Sequence, residues 1–191
     1  VNVPTRRYQN GRDLLVFPAL NLLDADVHDD RALEGLISEA DAVINLAGIL
    51  HSRPGKPYGP DFARVHVELP RRIAATCRKL GVRRLLHVSA LGASANGASG
   101  YQRSKAAGEA AIWEEFQSYP DGACTIFRPS VVFGPDDNFM NRFARLARWL
   151  PIIPLACSKS RLQPVYVGDV ADAISQALVN SLTHGRVYTL A

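Results

Sequence analysis

Short apolar runs alternate along this chain with segments of helical spacing, and that alternation limits the fold more than any other feature. The stretches "DAVINLAGIL" (41–50), "VRRLLHVSAL" (82–91) and "CTIFRPSVVFG" (124–134) are strand-like without an exposed polar face. Between them, "DDRALEGLISEA" (29–40) puts Leu33, Leu36 and Ile37 on one side of a helix. "ARVHVELPRRIAATCRKL" (63–80) predicts a second helix, and Gly81 supplies the left-handed cap that ends it. "YQRSKAAGEAAI" (101–112), "DNFMNRFARLARWL" (137–150) and the end of "LQPVYVGDVADAISQALVN" (162–180) predict three more. "VNVPT" (1–5) and the apolar stretch within "DLLVFPALNLLDADV" (13–27) open the chain. Strands buried on both sides and alternating with helices predict a doubly wound parallel sheet of the α/β class. With no internal repeat and no low-complexity linker, residues 1–191 read as one domain.

Composition removes several alternatives. The excess of 22 Lys and Arg over 18 Asp and Glu is small, and no basic run is interleaved with aromatics, so nucleic acid is not an expected partner. Cys77, Cys124 and Cys157 form no CxxC and no disulfide framework, which points to a reducing compartment and a cytoplasmic location. The five histidines are dispersed, so no metal site is expected. No apolar run is long enough to span a bilayer.

In a doubly wound sheet, ligands sit beyond the carboxyl ends of the strands. Four successive strand ends here carry small or polar residues: "DADVHDD", "NLAGIL", Ser89 with Ala90, and "RPS". Gly48 permits close approach of a ligand to the backbone, and Asp26 can accept a hydrogen bond from an adenine-type amino group. The alternative is that strand ends turn, and turns use Gly, Asp, Ser and Pro in any case. Tyr101 and Lys105 stand four apart and share a helix face. They are either a catalytic pair or an aromatic and a cation on a solvated surface.

Taken in order, these motifs resemble the short-chain dehydrogenase/reductase superfamily in its extended, NAD-dependent epimerase/dehydratase-like branch. "DADVHD" is similar to the acidic turn that holds adenine, "NLAG" to the strand end beside the cofactor, "YQRSK" to YxxxK and "RPSVVFGP" to RPxxxxGP. "VPTRR", "INLAGIL", "HVSALGA" and "FGPDDNFMNRFA" narrow the resemblance to the group related to the nucleotide-binding accessory subunit of respiratory complex I. The resemblance implies a Rossmann-like fold and a dinucleotide held by Arg6, Arg7, Asp26, Val27, Ala47, Gly48, Ile49, Ser89, Tyr101, Lys105, Pro129 and Ser130. It implies Tyr101 and Lys105 as the catalytic pair, with Lys105 on the ribose hydroxyls and its ammonium, together with the positive nicotinamide of an oxidised cofactor, lowering the phenol's pKa. The implied substrate is a small carbonyl compound or alcohol. Arg6 and Arg7 suit a 2′-phosphate and so favour NADP over NAD.

Four departures accompany the match. The opening strand and the GxxGxxG turn that cradles the pyrophosphate are absent, which suggests a fragment of a longer chain. Ala90 stands where a catalytic Ser or Thr is usual, with Ser94 and Ser99 as substitutes. Val131 replaces the Asn of sugar-nucleotide enzymes, and His66 replaces a helix Asn. Two functions therefore remain open: an NADP(H)-dependent oxidoreductase or epimerase, and a nucleotide-binding structural or assembly subunit. The helix at 137–150, with Phe139, Met140, Phe143, Leu146 and Leu150 opposite Arg142, Arg145 and Arg148, reads either as a core helix with its arginines outward or as a basic amphipathic one. A basic amphipathic helix suits a membrane surface or a partner, and the resemblance implies peripheral attachment to the inner membrane or to a respiratory complex.

Overall fold

A computed structural model describes residues 1–135, 137, 141, 148 and 162–191. Cys157 and the apolar stripe Phe139, Met140, Phe143, Leu146 and Leu150 lie outside the described residues, as do Arg142 and Arg145.

The central sheet is parallel throughout. Strands β3 (Ala42–Asn45), β4 (Arg84–Val88), β5 (Ala123–Pro129) and β8 (Arg186–Leu190) lie side by side in that order. Registers such as Asn45 opposite His87 and Phe127 opposite Tyr188 fix which residues meet. A second parallel pair joins β1 (Asn2–Thr5) to β2 (Asn21–Asp24), and a third joins β6 (Val132–Phe133) to β7 (Val165–Tyr166). The "DLLVFPALNLLDADV" stretch splits between a 3₁₀ segment, Tyr8–Val16, and β2. The strand in "DAVINLAGIL" ends at Asn45, so the small residues after it are loop.

Helices cover both faces of the central sheet. Leu85 and Ile126 face the side where α1 (Asp30–Ser38), α3 (Leu69–Leu80) and α4 (Gly100–Gln117) contribute Leu33, Ile37, Ile73, Cys77, Ile112 and Phe116. Their chain neighbours Leu86 and Phe127 face the other side, against Val170, Ile174 and Ala177 of α5 (Val167–Val179). Successive strand residues thus enter opposite cores, which is why these strands are apolar without alternation. Helix ends follow local chemistry. The Asp29 carboxylate accepts from the Ala32 N–H at the start of α1, and a Ser99–Gln102 capping box opens α4. Gly81 ends α3 at φ +78°.

The segment ahead of α3 is not plain helix. A single turn, α2 (Pro60–Phe62), runs into a π-helical turn, Ala63–Glu68, that carries His66 into the interior. Such turns hold one extra residue and recur at functional sites. Here α4 lies so close that a Cβ on Gly108 would stand 1.9 Å from the His66 carbonyl oxygen. The lone glycine of "KAAGEAA" is therefore a packing requirement. No described helix is long and apolar enough to cross a membrane.

Candidate functional site

The carboxyl ends of the parallel strands bring most of the expected residues to one rim. After β3, the Ala47 N–H donates to the Asn45 carboxamide oxygen, and the Ile49 N–H donates to His66 Nε2 at 3.0 Å. Gly48, between them, is exposed. A Cβ there would lie 3.7 Å from Lys105 Nζ and 3.8 Å from His66 Nε2, ordinary contacts that leave room on the protein's side. The β3 strand end, the π turn and α4 therefore meet at Gly48.

Each residue of "YQRSK" is tied down differently. Tyr101 sits in the first turn of α4, half-buried, with its ring edge-on to Phe62 at 5.9 Å and to His66 at 5.4 Å. Gln102 completes the capping box. The Arg103 guanidinium donates to the carbonyls of Pro57, Gly97 and Ala98 and draws two loops against the helix start. Ser104 is fully buried; its hydroxyl donates to the Tyr101 carbonyl and meets His66 Nδ1 at 2.9 Å. Lys105 is buried and donates from Nζ to the Val88 carbonyl at 3.0 Å.

Burial pushes the Tyr101 phenol above its ordinary value, whereas the expected lowering needs the Lys105 ammonium together with the positive nicotinamide of a bound cofactor. Lys105 points into the strand end and bonds Val88, so it does not pair with the phenol. Its own pKa falls to about 8 because burial disfavours the cation, with Glu109 pulling the other way. Burial and the Lys105 charge push His66 down to about 4 and His87 down to about 3, so both rings are neutral near pH 7.

Sequence reasoning missed Glu109. It lies one turn beyond Lys105 and is buried, and both its oxygens receive the Arg128 guanidinium: Nε donates at 2.9 Å and a terminal nitrogen at 2.5 Å. The Ser89 hydroxyl donates to the same carboxylate. Arg128 belongs to the strand end "RPS", so the signal was an Arg at a strand end opposite a helix glutamate. Ser89 is 4 % exposed and bound to Glu109. Ser99 caps α4, and Ser94 is exposed with its hydroxyl accepting from the Asn96 N–H. The substitutes suggested for the hydroxyl missing at Ala90 thus both hold local backbone. Pro129 closes β5, and the Ser130 N–H donates to the Leu190 carbonyl.

At the other end of the rim, Asp26 follows β2 half-buried, and its carboxylate accepts from the His28 N–H at 3.0 Å. That bond holds its pKa below the ordinary value, with His28, Arg6 and Arg64 adding to the effect. Val27 and Ala47 both pack on the same core cluster. Arg6 and Arg7 leave β1 exposed, with the Arg7 N–H and carbonyl both bound to the Thr5 hydroxyl.

Parallel strands wrapped by helices on both faces define a doubly wound, Rossmann-like α/β fold. The chain belongs to the NAD dependent epimerase/dehydratase family, whose model matches residues 1–191. It is 37% identical over 171 residues to the mitochondrial NADH dehydrogenase [ubiquinone] 1 alpha subcomplex subunit 9 of Rattus norvegicus, covering 88% of this chain and 43% of that protein. The Dictyostelium discoideum protein of the same name is 33% identical over 195 residues, covering all of this chain and 52% of the relative. A ceramide reductase of Caulobacter vibrioides is 32% identical over 160 residues, covering 84% of this chain and 46% of that one. The chain thus spans about half the length of these curated relatives. Among solved structures, a double mutant of the dTDP-glucose 4,6-dehydratase DesIV of Streptomyces venezuelae, crystallised with NAD, superposes with a TM-score of 0.84 at 19% identity, covering all of this chain and 65% of that one.

Proposed function

We propose that this protein holds a nicotinamide dinucleotide along the rim. The adenosine lies at Asp26 and Val27, and the nicotinamide ribose lies between Gly48 and the Tyr101–Lys105 pair. The observation that carries this reading is the convergence on Gly48, after the end of β3, of Lys105 Nζ and His66 Nε2, which a Cβ on that glycine would meet at 3.7 and 3.8 Å. The donor set suits the ligand: a carboxylate for adenine, a buried ammonium for ribose hydroxyls, and a phenol with no hydrogen-bond partner among the described residues. Proteins of similar fold were crystallised with NAD, DesIV and a UDP-glucuronic acid 4-epimerase from Bacillus cereus among them. Arg6 and Arg7 are exposed with no carboxylate within ion-pair distance among the described residues, which supports a 2′-phosphate and hence NADP(H).

In the oxidoreductase or epimerase form of this reading, a bound nicotinamide supplies hydride transfer. Tyr101 passes the proton to or from a small carbonyl compound or alcohol, and Lys105 orients the ribose and favours the phenolate once the cofactor's positive charge is near. A specific observation favours a second form, a nucleotide-binding subunit that does not turn over. The Ser89 hydroxyl is bound to Glu109 and Ala90 follows it, so this strand end offers no free hydroxyl to polarise a carbonyl. The likeness to a respiratory-complex subunit supports that form and association with such a complex.

Tyr101→Phe separates the two. For the enzyme, turnover of NADPH with a panel of ketones and aldehydes falls about 10²–10⁴-fold while cofactor affinity holds. For the non-catalytic subunit, wild type shows tight NADPH binding and no turnover.

A further inference from the structure

His66 touches both halves of the candidate site. Its ring is 1 % exposed and stacks on Phe62 at a centroid distance of 5.0 Å. Nε2 accepts from the Ile49 N–H at 3.0 Å, and a backbone N–H can only donate, so Nε2 is unprotonated. In the neutral ring Nδ1 then carries the hydrogen and donates to the Ser104 hydroxyl at 2.9 Å. That hydroxyl in turn donates to the Tyr101 carbonyl at 2.9 Å. The result is one directed chain of hydrogen bonds, from Ile49 through His66 and Ser104 to the backbone of Tyr101. The π turn brings the imidazole to this place, and Gly108 allows α4 near enough to receive it.

We propose that His66 is a positioning residue that fixes the strand end Ala47–Ile49 against the first turn of α4, and so sets the gap between Gly48 and the Tyr101–Lys105 pair. The inference rests on the dinucleotide-site reading for its purpose, but not for its geometry. Both ring nitrogens are needed. An asparagine matches Nδ1 in reach and keeps the link to Ser104 but not to Ile49. A glutamine matches Nε2 and keeps the link to Ile49 but not to Ser104. A residue that only filled space would tolerate either replacement equally.

The test compares wild type, His66→Asn, His66→Gln and Ser104→Ala in the whole protein. Amide hydrogen exchange is read at Ile49 and at core amides of β4, and NADPH and NADH affinity is read by calorimetry. In His66→Asn, Ile49 should exchange about tenfold faster with β4 unchanged, and in His66→Gln its protection should stay near wild type. Dinucleotide affinity should fall about tenfold in all three variants, since each cuts one link of the chain. Ser104→Ala trims one hydroxyl and carries the affinity test if the histidine variants fold poorly. Unchanged Ile49 exchange in His66→Asn, or wild-type affinity across the variants, overturns the proposal. If wild type binds no dinucleotide, the functional reading fails, and the exchange rates alone decide whether His66 ties the strand end to α4.

Discussion

Replacing Gly108 by alanine sets two well-understood effects against each other. Helix propensity favours alanine over glycine in a helix interior by about 1 kcal/mol. Packing opposes it, because the new Cβ would lie 1.9 Å from the His66 carbonyl oxygen and 3.1 Å from its carbon, and real Cβ atoms essentially never come closer than 3.0 Å to a neighbour. The obstacle is backbone and cannot rotate away, so α4 must retreat from the π turn by roughly 1 Å. Overpacking of this kind costs about 1–3 kcal/mol, and this contact belongs at the upper end. The expected net effect is a loss of about 2 kcal/mol in denaturant unfolding, with a lower midpoint and an unchanged slope. Gly35→Ala in α1 is the control, because its new Cβ would meet nothing within 4 Å. It should stabilise by about 0.5–1 kcal/mol. If Gly108→Ala stabilises as much as Gly35→Ala does, the close approach of α4 to His66 is refuted.

Acid should destabilise the fold earlier than its carboxylates alone would allow. His66 and His87 have folded pKa values near 4 and 3, below the ordinary value of 6.5, so the unfolded chain binds more protons. Their stabilising contribution is complete above pH 6.5 and is lost as pH falls toward 4, by about 1.4 kcal/mol per pH unit for each ring. Denaturant unfolding between pH 7 and 4.5 checks this, and a flat profile contradicts it. Arg128→Met should cost about 3 kcal/mol in the same assay, because it leaves the buried Glu109 carboxylate with Ser89 alone. A loss no larger than that of an exposed-pair variant such as Arg71→Met would show that the Glu109 carboxylate is not buried as described. Arg6→Ala with Arg7→Ala should remove most of any NADPH preference over NADH, since one charge-assisted hydrogen bond is worth about 1.5–3 kcal/mol. Equal affinities before mutation contradict the 2′-phosphate reading.

The layered fold was legible because strands buried on both faces leave a plain trace. In "LLHV" and "TIF" the neighbours Leu85 and Leu86, and Ile126 and Phe127, enter opposite cores, while His87 and Thr125 are buried polar residues among them. Gly81 announced the end of its helix by residue type, whereas Ser99, read from sequence as a substitute hydroxyl, is the cap of α4. Motif order along the chain picked out residues 26, 48, 101 and 105 as candidates, and Gly48 and Lys105 do come together at the end of β3. What stayed hidden depends on contacts between distant segments. Glu109 is one polar residue in an alanine-rich helix until Arg128 and Ser89 are placed around it. The π turn leaves no composition signal, so His66 reads from sequence as a replacement rather than as a link between Ile49 and Ser104. Four-residue spacing gives a shared face but not which way a lysine points, and Lys105 reaches the Val88 carbonyl.

The most direct test of the account is calorimetric titration of the whole protein with NADPH, in wild type and in Lys105→Met. The methionine keeps the buried volume and removes the ammonium beside Gly48. Wild type should bind one dinucleotide per chain, and Lys105→Met should bind it at least about tenfold more weakly while remaining folded. Folded wild-type protein that binds neither NADPH nor NADH, or a Lys105→Met variant with undiminished affinity, would contradict a dinucleotide held between the β3 strand end and α4.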